Sequence, residues 1–564
     1  MSATTVKTGN AGRLATIRRL YFYLIAFVSL TTGLLALHNL LTTLFDIWLT
    51  ATTTAMANDA DFVRNSVARD SGLLLVATPI FVIHWAYVQA ISRRAGADAD
   101  EERTSTLRKL FLYAASALTM TLSAVRLYRL VSESVSVLTG DGRLDALIWP
   151  AGWLSLVASV LIHLLTLSYF LQQLRLDADL GSELRWAGTL RRIFQTVTGL
   201  VGLGILLSGG GAILEQGLRL LLENLSRSAI LQSSVGWWRV GVADGSAGLL
   251  VGALLWWINW RRWDALIQRN DAEARTALRR FYLYGATILS AACTLAPSAL
   301  LLYRLLLQLF GVAEPAALPD LAGPLSLAPL GLIAWRWHWQ EVNREAMRYG
   351  DSPESANVRR LYYYLVAAVG LVLMWLGLVE MLRALLDWLI IGGAAAAVNF
   401  RAEQLARGIS FVAVGAPVWS IHWQAVQRVA RGDDHAAQSE RTSGPRRAYL
   451  YAVALVGALL ILFDLALVLY RVLLWALGDA NADVFGAETL DSLVRSGSAA
   501  VFWIVHVLAI RTDTRLTESA TPTPEDIGER RATLLARIDH LETELSEARA
   551  ALAVLDKAST QQRE

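Results

Sequence analysis

Long apolar stretches alternate with short polar segments throughout this chain. Twelve of these stretches reach about 20 residues, the length at which a helix crosses a hydrocarbon core of about 30 Å. Backbone polar groups in lipid must be satisfied internally, and apolar segments of this length do so only as helices. The pattern therefore predicts an all-α polytopic membrane protein with about 12 transmembrane helices, paired as six hairpins.

Two short motifs mark each predicted hairpin. The first helix opens with a basic doublet that aromatic residues follow, at Arg18-Arg19, Arg108-Lys109, Arg191-Arg192, Arg279-Arg280, Arg359-Arg360 and Arg446-Arg447. The second helix carries a histidine or, once, an asparagine, at His84, His163, Asn259, His338, His422 and His506. Recurrence at a fixed period defines the architectural unit of a chain.

Long and short gaps alternate between successive openers, so the true repeat is a pair of hairpins. We expect an N-terminal arm (1–17), three four-helix membrane repeats (18–175, 176–348 and 349–515), and a linker with a tail (516–564). Because each repeat contains an even number of spans, the three repeats should be parallel to one another.

The distribution of basic residues predicts the orientation. The linkers that join one hairpin to the next hold four to six Lys and Arg residues each, whereas the turns within hairpins hold two at most. Basic loops stay in the cytoplasm, so both termini should be cytoplasmic. The openers then serve mainly as topological signals at the membrane interface, with recognition of anionic lipid headgroups as the alternative.

Composition agrees with a membrane protein and excludes several function classes. Hydrophobic residues make up 55% of the chain, charged residues 18%, and the mean hydropathy is +0.42. A net charge of +3 argues against nucleic-acid binding. The single cysteine, Cys293, excludes an intrachain disulfide and a cysteine-based metal site.

The tail carries a different pattern. Apolar residues at steps of four and three form a heptad seam, at Leu534, Ile538, Leu541, Leu545, Ala548, Leu552 and Leu555. The seam predicts a C-terminal coiled coil through which the protein forms a homo-oligomer. A lone amphipathic helix on the protein or membrane surface is the alternative.

The recurring histidines are candidates for intramembrane chemistry. His84, His163, His338, His422 and His506 are expected at corresponding depths in the second helices. A neutral imidazole there could relay protons, ligate haem iron, or simply bond to a neighbouring group. We favour structural imidazoles and predict neither a cofactor nor a metal.

Charged residues within the apolar stretches form a second candidate set, because they should pair or face water. The set comprises Arg126, Arg336, Glu380 and Asp464. Arg126 and Asp464 occupy equivalent positions in the first and third repeats, so they could meet across a pseudo-threefold axis.

The third opener helix departs from the pattern. It has lost its tyrosines and contains Ser208-Gly209-Gly210-Gly211 in mid-span. Broken helices at the midplane form substrate sites in many transporters. Small residues also allow close helix packing, which we favour here.

The opener Arg-Arg/Lys-x-aromatic-x-Tyr, with Ile-His-Trp in the next helix, resembles an uncharacterised family of bacterial multi-pass membrane proteins, known by a domain of unknown function. The resemblance covers most of residues 15–512. It implies an inner-membrane location but no activity.

The chain contains no phosphate-binding loop, no His-Glu-x-x-His and no Cys-x-x-Cys, so enzymatic function by familiar routes is not expected. A non-enzymatic, lipid-embedded scaffold or signalling component is the leading hypothesis. A transporter or channel that uses the intramembrane polar residues is the alternative, and a haem-binding redox protein is a third.

Overall fold

The computed structural model describes residues 3–50, 60–94, 96–140, 149–179, 185–226, 236–312, 318–391, 398–479, 484, 486–519 and 524–561. These residues form helices without any strand. The helices are α1 (Ala3–Thr50), α2 (Ala60–Ser92), α3 (Ala97–Thr104), α4 (Thr106–Leu138), α5 (Trp149–Asp179), α6 (Arg185–Ser226), α7 (Trp237–Arg269), α8 (Ala277–Leu309), α9 (Ala322–Tyr349), α10 (Pro353–Leu386), α11 (Val398–Ala430), α12 (His435–Arg441), α13 (Gly444–Ala476), α14 (Ala487–Ser519) and α15 (Pro524–Gln561).

Eleven helices of the described part are long and apolar enough to cross a membrane: α1, α2, α4 to α8, α10, α11, α13 and α14. The predicted twelfth crossing, α9, forms as a helix of 28 residues but does not belong to this set. Its apolar half is followed by Arg336, His338 and Glu341, which lower its hydropathy. The all-helical fold is confirmed, whereas a twelfth crossing stays a prediction.

Contacts divide the chain into two compact units. The first comprises Met1–Tyr362, Val369–Trp388 and Gly392–Val418, and the second comprises Tyr363–Ala368, Leu389–Ile391 and Trp419–Glu564. In the first unit, α1 packs against α2, α4 and α5, and α6 packs against α7, α8 and α9. Each of these sets corresponds to one predicted four-helix repeat. In the second unit, α13 packs against α14.

The glycine-rich segment does not break its helix. Residues 208–211 lie within the continuous α6, which runs from Arg185 to Ser226. A Cβ atom on Gly209 would lie 2.3 Å from the backbone nitrogen of Leu249 in α7. Similarly, a Cβ atom on Gly252 of α7 would lie 2.2 Å from the backbone nitrogen of Leu206 in α6. The glycines therefore allow the two helices to pack closely, as small residues do between membrane helices.

The tail forms the long helix α15, and its apolar seam faces solvent. Leu534, Ile538, Leu541, Leu545 and Leu552 are each at least half exposed. The side chain of Leu555 lies outside the described residues. Exposed leucines at heptad spacing are the surface that a coiled-coil partner covers.

Candidate functional site

A buried arginine joins three helix ends in the first repeat. Arg108, at the start of α4, donates from Nε to Asp177 Oδ2 at 2.8 Å and from Nη2 to Asp177 Oδ1 at 3.2 Å. Its Nη2 also donates to Gln89 Oε1 of α2 at 3.0 Å. The guanidinium carbon lies 5.5 Å from the centre of the Trp85 ring. Because Arg108 is only 1% exposed, this two-point ion pair is desolvated.

The third repeat contains the same arrangement. Arg446 at the start of α13 donates to both carboxylate oxygens of Asp513, at 2.6 and 3.0 Å. Its Nη2 donates to Gln427 Oε1 at 3.0 Å, and its guanidinium carbon lies 5.9 Å from the Trp423 ring. The same partner types therefore surround Arg108 and Arg446.

The arginine of the second repeat lies against two tryptophans. Arg279 at the start of α8 donates to Glu345 Oε1 from Nε at 3.1 Å and from Nη2 at 2.6 Å. Its guanidinium carbon lies 4.9 Å from the Trp260 ring and 5.3 Å from the Trp263 ring. We call Arg108–Asp177, Arg279–Glu345 and Arg446–Asp513 the three arginine clusters.

A buried ion pair adds little net stability compared with apolar residues, but loss of one partner leaves a desolvated charge that costs about 3–5 kcal/mol. The arginine clusters therefore specify which helix ends meet. The openers were expected to act as topological signals, and their pairing with carboxylates was not expected.

A glutamate in the linker holds the other opener of each repeat. Glu102 in α3 accepts from Arg19 Nε at 2.8 Å and from the Tyr23 hydroxyl at 2.5 Å. Glu440 in α12 accepts from the Tyr364 hydroxyl at 2.6 Å. Each linker glutamate lies six residues before the arginine of its cluster, a spacing visible in the sequence.

The linker glutamate of the second repeat is Glu273, in the 3₁₀ turn Asp271–Arg275. It accepts from Arg191 Nη2 at 2.7 Å and from Arg192 Nε at 2.9 Å. Burial raises the pKa of the Glu273 carboxyl, but the hydrogen bonds and charges of the two arginines outweigh burial and hold the pKa below its ordinary value. Glu273 is therefore kept ionised by its partners.

The candidate histidines bond to their own helices. The Nδ1 atoms of His84, His163, His338 and His506 lie 2.6–2.8 Å from the carbonyl oxygen four residues earlier. Asn259, which replaces histidine in α7, donates from Nδ2 to the Leu255 carbonyl at 2.8 Å in the same way. A carbonyl only accepts, so Nδ1 carries the proton and Nε2 is left as an acceptor.

Two of the histidines also contact tyrosines of other helices. The His506 Nε2 lies 3.1 Å from the Tyr449 hydroxyl. The ring centre of His422 lies 5.6 Å from the ring centre of Tyr363.

No group of three or more His, Cys, Asp or Glu side chains within the described ranges is arranged to hold a metal ion.

The repeated geometry has a counterpart in known sequences. A family model described as a domain of unknown function, DUF5671, matches the chain three times, at residues 19–162, 192–333 and 360–505. These matches together cover more than half of the chain. The chain belongs to the DUF5671 family. No curated protein and no solved structure matches it.

Relative to the carboxylate of its arginine cluster, His163 does not lie at the position that His338 and His506 occupy. His338 and His506 each lie seven residues before the carboxylate of their cluster, but Phe170 holds that position before Asp177. Phe170 packs against Trp85 and Phe111, as His506 packs against Trp423 and Tyr449. His163 is thus out of register by seven residues, about 10 Å along a helix.

His163 belongs instead to a polar cluster in the middle of the first DUF5671 repeat. Its partner residue Ser159 bonds through Oγ to His38 Nδ1 at 2.5 Å. Arg126 of α4 is close enough to act electrostatically on both imidazoles, and its buried Nε has no hydrogen-bond partner. The sequence reasoning missed His38, although the polar pair His38-Asn39 interrupts an apolar stretch.

Each of the other candidate charges has its own surroundings. Asp464 of α13 accepts from Arg495 Nη2 of α14 at 2.7 Å, so its partner lies within its own hairpin. Glu380 lies 3.9 Å from Arg383 on the same helix. Arg336 is exposed on α9.

A cavity of about 270 Å³ lies beside the third arginine cluster. Its lining includes Arg441, Arg447, Asp513 and Thr514. These residues lie at the end of α12, at the start of α13 and near the end of α14, so the cavity lies at the end of this hairpin and not at its midpoint.

Proposed function

We propose that this protein is a multi-pass membrane scaffold that self-associates through α15, with both termini in the cytoplasm of a bacterial cell. The observation that carries the proposal is the exposure of the α15 seam, where Leu534 is 59% and Leu545 is 52% exposed. A row of half-exposed leucines on a soluble helix is costly in water, and a partner helix removes that cost.

The membrane region supports a structural role. Arg108, Arg279 and Arg446 are almost fully buried, and each is engaged by a carboxylate from the second helix of its own hairpin. Four of the candidate histidines bond to backbone carbonyls of their own helices. The arginine clusters therefore specify which helix ends meet, and the imidazole donors are satisfied within single helices.

The mass of the full-length chain in lipid nanodiscs or mild detergent tests the proposal. Leu541→Asp and Leu545→Asp place charges in the seam and should convert the oligomer to a single chain. Thr543→Asp, on the opposite face of α15, should leave the mass unchanged. An unmodified protein that is already a single chain at micromolar concentration would overturn the proposal.

The polar cluster of His38, Ser159, His163 and Arg126 favours proton or ion transport as a second candidate function. These residues lie in the central parts of α1, α4 and α5. An ionisable group at that depth is a functional candidate.

Proton flux into vesicles that contain the purified protein tests this second function. Transport should be lost in Arg126→Met and retained in Arg64→Met, whose exposed arginine is paired with Asp61 at the start of α2. Vesicles that show no flux above empty controls would exclude it.

A further inference from the structure

The seam of α15 has a defined heptad register. Taking the four-residue step as the one from d to a, Leu534, Leu541, Ala548 and Leu555 occupy d positions, and Ile538, Leu545 and Leu552 occupy a positions. Between Leu534 and Leu552, the charged flanking residues are then Arg537 and Glu544 at g positions and Glu542 and Arg549 at e positions. The charges beside the seam are thus fixed by the register of the leucines.

These flanking charges are available to a partner. Arg537, Glu542 and Arg549 are exposed and form no ion pair in the region that the structure describes. Glu544 has only a 3.8 Å contact with His540 Nδ1, one turn earlier on the same exposed face. The helix itself therefore does not use the charges that border its seam.

In a parallel pair of helices, a g residue meets the e residue of the next heptad on the other chain. Arg537 then meets Glu542, and Glu544 meets Arg549. Twofold symmetry repeats both contacts, so each of these four charges faces an opposite charge, and all seam layers are kept.

Antiparallel arrangements are less favourable. The register centred between Leu541 and Leu545 sets Glu542 against Glu542 and Glu544 against Glu544, and like charges at such positions repel. If the two antiparallel helices are shifted so that Leu541 packs against Leu552, a Glu542–Arg549 contact forms. This register leaves Leu534 without a partner residue in the seam and Arg537 without an opposite charge.

We infer that α15 pairs in parallel and in register with α15 of a second copy of this chain. The inference rests on the proposed self-association and adds its geometry. Parallel pairing also agrees with the proposed topology, in which the tails of two copies extend from the same side of one membrane. It brings the third repeats of two copies close together, since α15 follows α14 after a linker of only a few residues.

Cysteine cross-linking of the full-length protein in membranes tests the geometry. In a Cys293→Ser background, Leu534→Cys and Leu552→Cys are made separately. A parallel pair brings each residue next to its own counterpart, within the Cα separation of about 4.4–6.8 Å that a disulfide requires. Both variants should therefore form disulfide-linked dimers upon oxidation, whereas the outward-facing Thr543→Cys should not.

Charge reversal provides the second arm. Arg537→Glu should reduce the yield of cross-linked Leu552→Cys dimer, because the introduced carboxylate would face Glu542 of the other copy. Adding Glu542→Arg should restore the yield. A double variant that stays as weak as the single one would overturn the assigned contact.

The outcomes separate the two proposals. Cross-linking only between Leu534→Cys and Leu552→Cys in a mixture would show an antiparallel pair, which keeps self-association and rejects the parallel geometry. Absence of any cross-link together with the mass of a single chain would reject self-association itself. Efficient cross-linking of Thr543→Cys would reject the seam.

Discussion

Arg446 and Asp513 meet through two hydrogen bonds of 2.6 and 3.0 Å that join the start of α13 to α14. Arg446 is fully buried, and it also reaches Tyr364 of the preceding hairpin through Nη1 at 3.1 Å. With its hydrogen bond to Gln427 of α11, this guanidinium connects parts of four long helices, α10, α11, α13 and α14. The geometry makes Asp513 the counter-ion on which this junction depends.

Asp513→Asn should lower the free energy of unfolding by about 3–5 kcal/mol, because it leaves the Arg446 charge buried without a counter-charge. The double variant Arg446→Met/Asp513→Leu should recover most of that loss. Thermal or denaturant unfolding of the full-length protein in one detergent measures both effects.

A matched control is available in the first repeat. Arg129 and Glu133 form an exposed pair one turn apart on α4, and Arg129→Met should cost less than about 1 kcal/mol. Equal losses in Asp513→Asn and Arg129→Met would show that burial does not decide the importance of these pairs.

Gly209→Ala should destabilise the contact between α6 and α7 by about 1–3 kcal/mol, as overpacking does in protein cores. Its added Cβ would lie 2.3 Å from the Leu249 backbone nitrogen, which cannot move without displacing α7. Gly217→Ala on the same helix meets nothing within 4 Å and should be neutral or slightly stabilising. The same unfolding assay compares the two, and similar effects would contradict close packing at Gly209.

The sequence predicted the helices and the family well, because apolar runs and turn signals are local properties. The all-helical fold and the three matches of the DUF5671 model confirm the repeated architecture. The structure of the segment around Gly209 was harder to predict, because a run of glycines can either break a helix or allow two helices to pack closely. Only the position of Leu249 on the neighbouring helix decides between them.

The ion pairs could not be assigned from the sequence, because the partners lie on helices that the fold brings together. Arg108 meets Asp177, 69 residues later in the chain, and several nearer carboxylates compete for it in the sequence. The different position of His163 could not be recognised for a related reason, because it shows only in the spacing to Asp177, the partner of Arg108. The fixed distance from Glu102 to Arg108, and its recurrence, was the signal that could have identified the linker glutamates.

Stability of the second repeat should depend on the ionisation of Glu273. Because Arg192 and Arg191 hold the Glu273 pKa below its ordinary value, its ion pairs stabilise the fold above the unfolded-state pKa of about 4.3. This contribution is lost as the pH falls through the folded-state pKa, which lies lower. The unfolding temperature should therefore decrease more steeply below about pH 4 in the native protein than in Glu273→Gln. Identical acid profiles for the two proteins would contradict this role.

Fusions of topology reporters should place residues after Arg94 in the cytoplasm and residues at Gly140 outside. The tail after Ser519 should be cytoplasmic, which requires α9 to cross the membrane in addition to the eleven apolar helices. Eleven crossings from a cytoplasmic N-terminus would put the tail outside. A reporter on the tail therefore decides whether α9 crosses the membrane. An external tail would also contradict the proposal that α15 self-associates in the cytoplasm.

Purified protein should be colourless, with no Soret band in the oxidised or the reduced form. Bis-histidine ligation of haem needs two imidazoles that face one another across a flat cavity. Here four histidines donate from Nδ1 to their own helices, and His506 receives the Tyr449 hydroxyl on its remaining nitrogen. His84 also packs against the rings of Tyr21 and Phe22, at 5.6 and 5.3 Å between ring centres, where a porphyrin would have to lie. A stoichiometric Soret band that shifts on reduction and disappears in His84→Ala or His422→Ala would instead show that the protein is a redox carrier. If the protein has no such band, the two substitutions should lower only its stability.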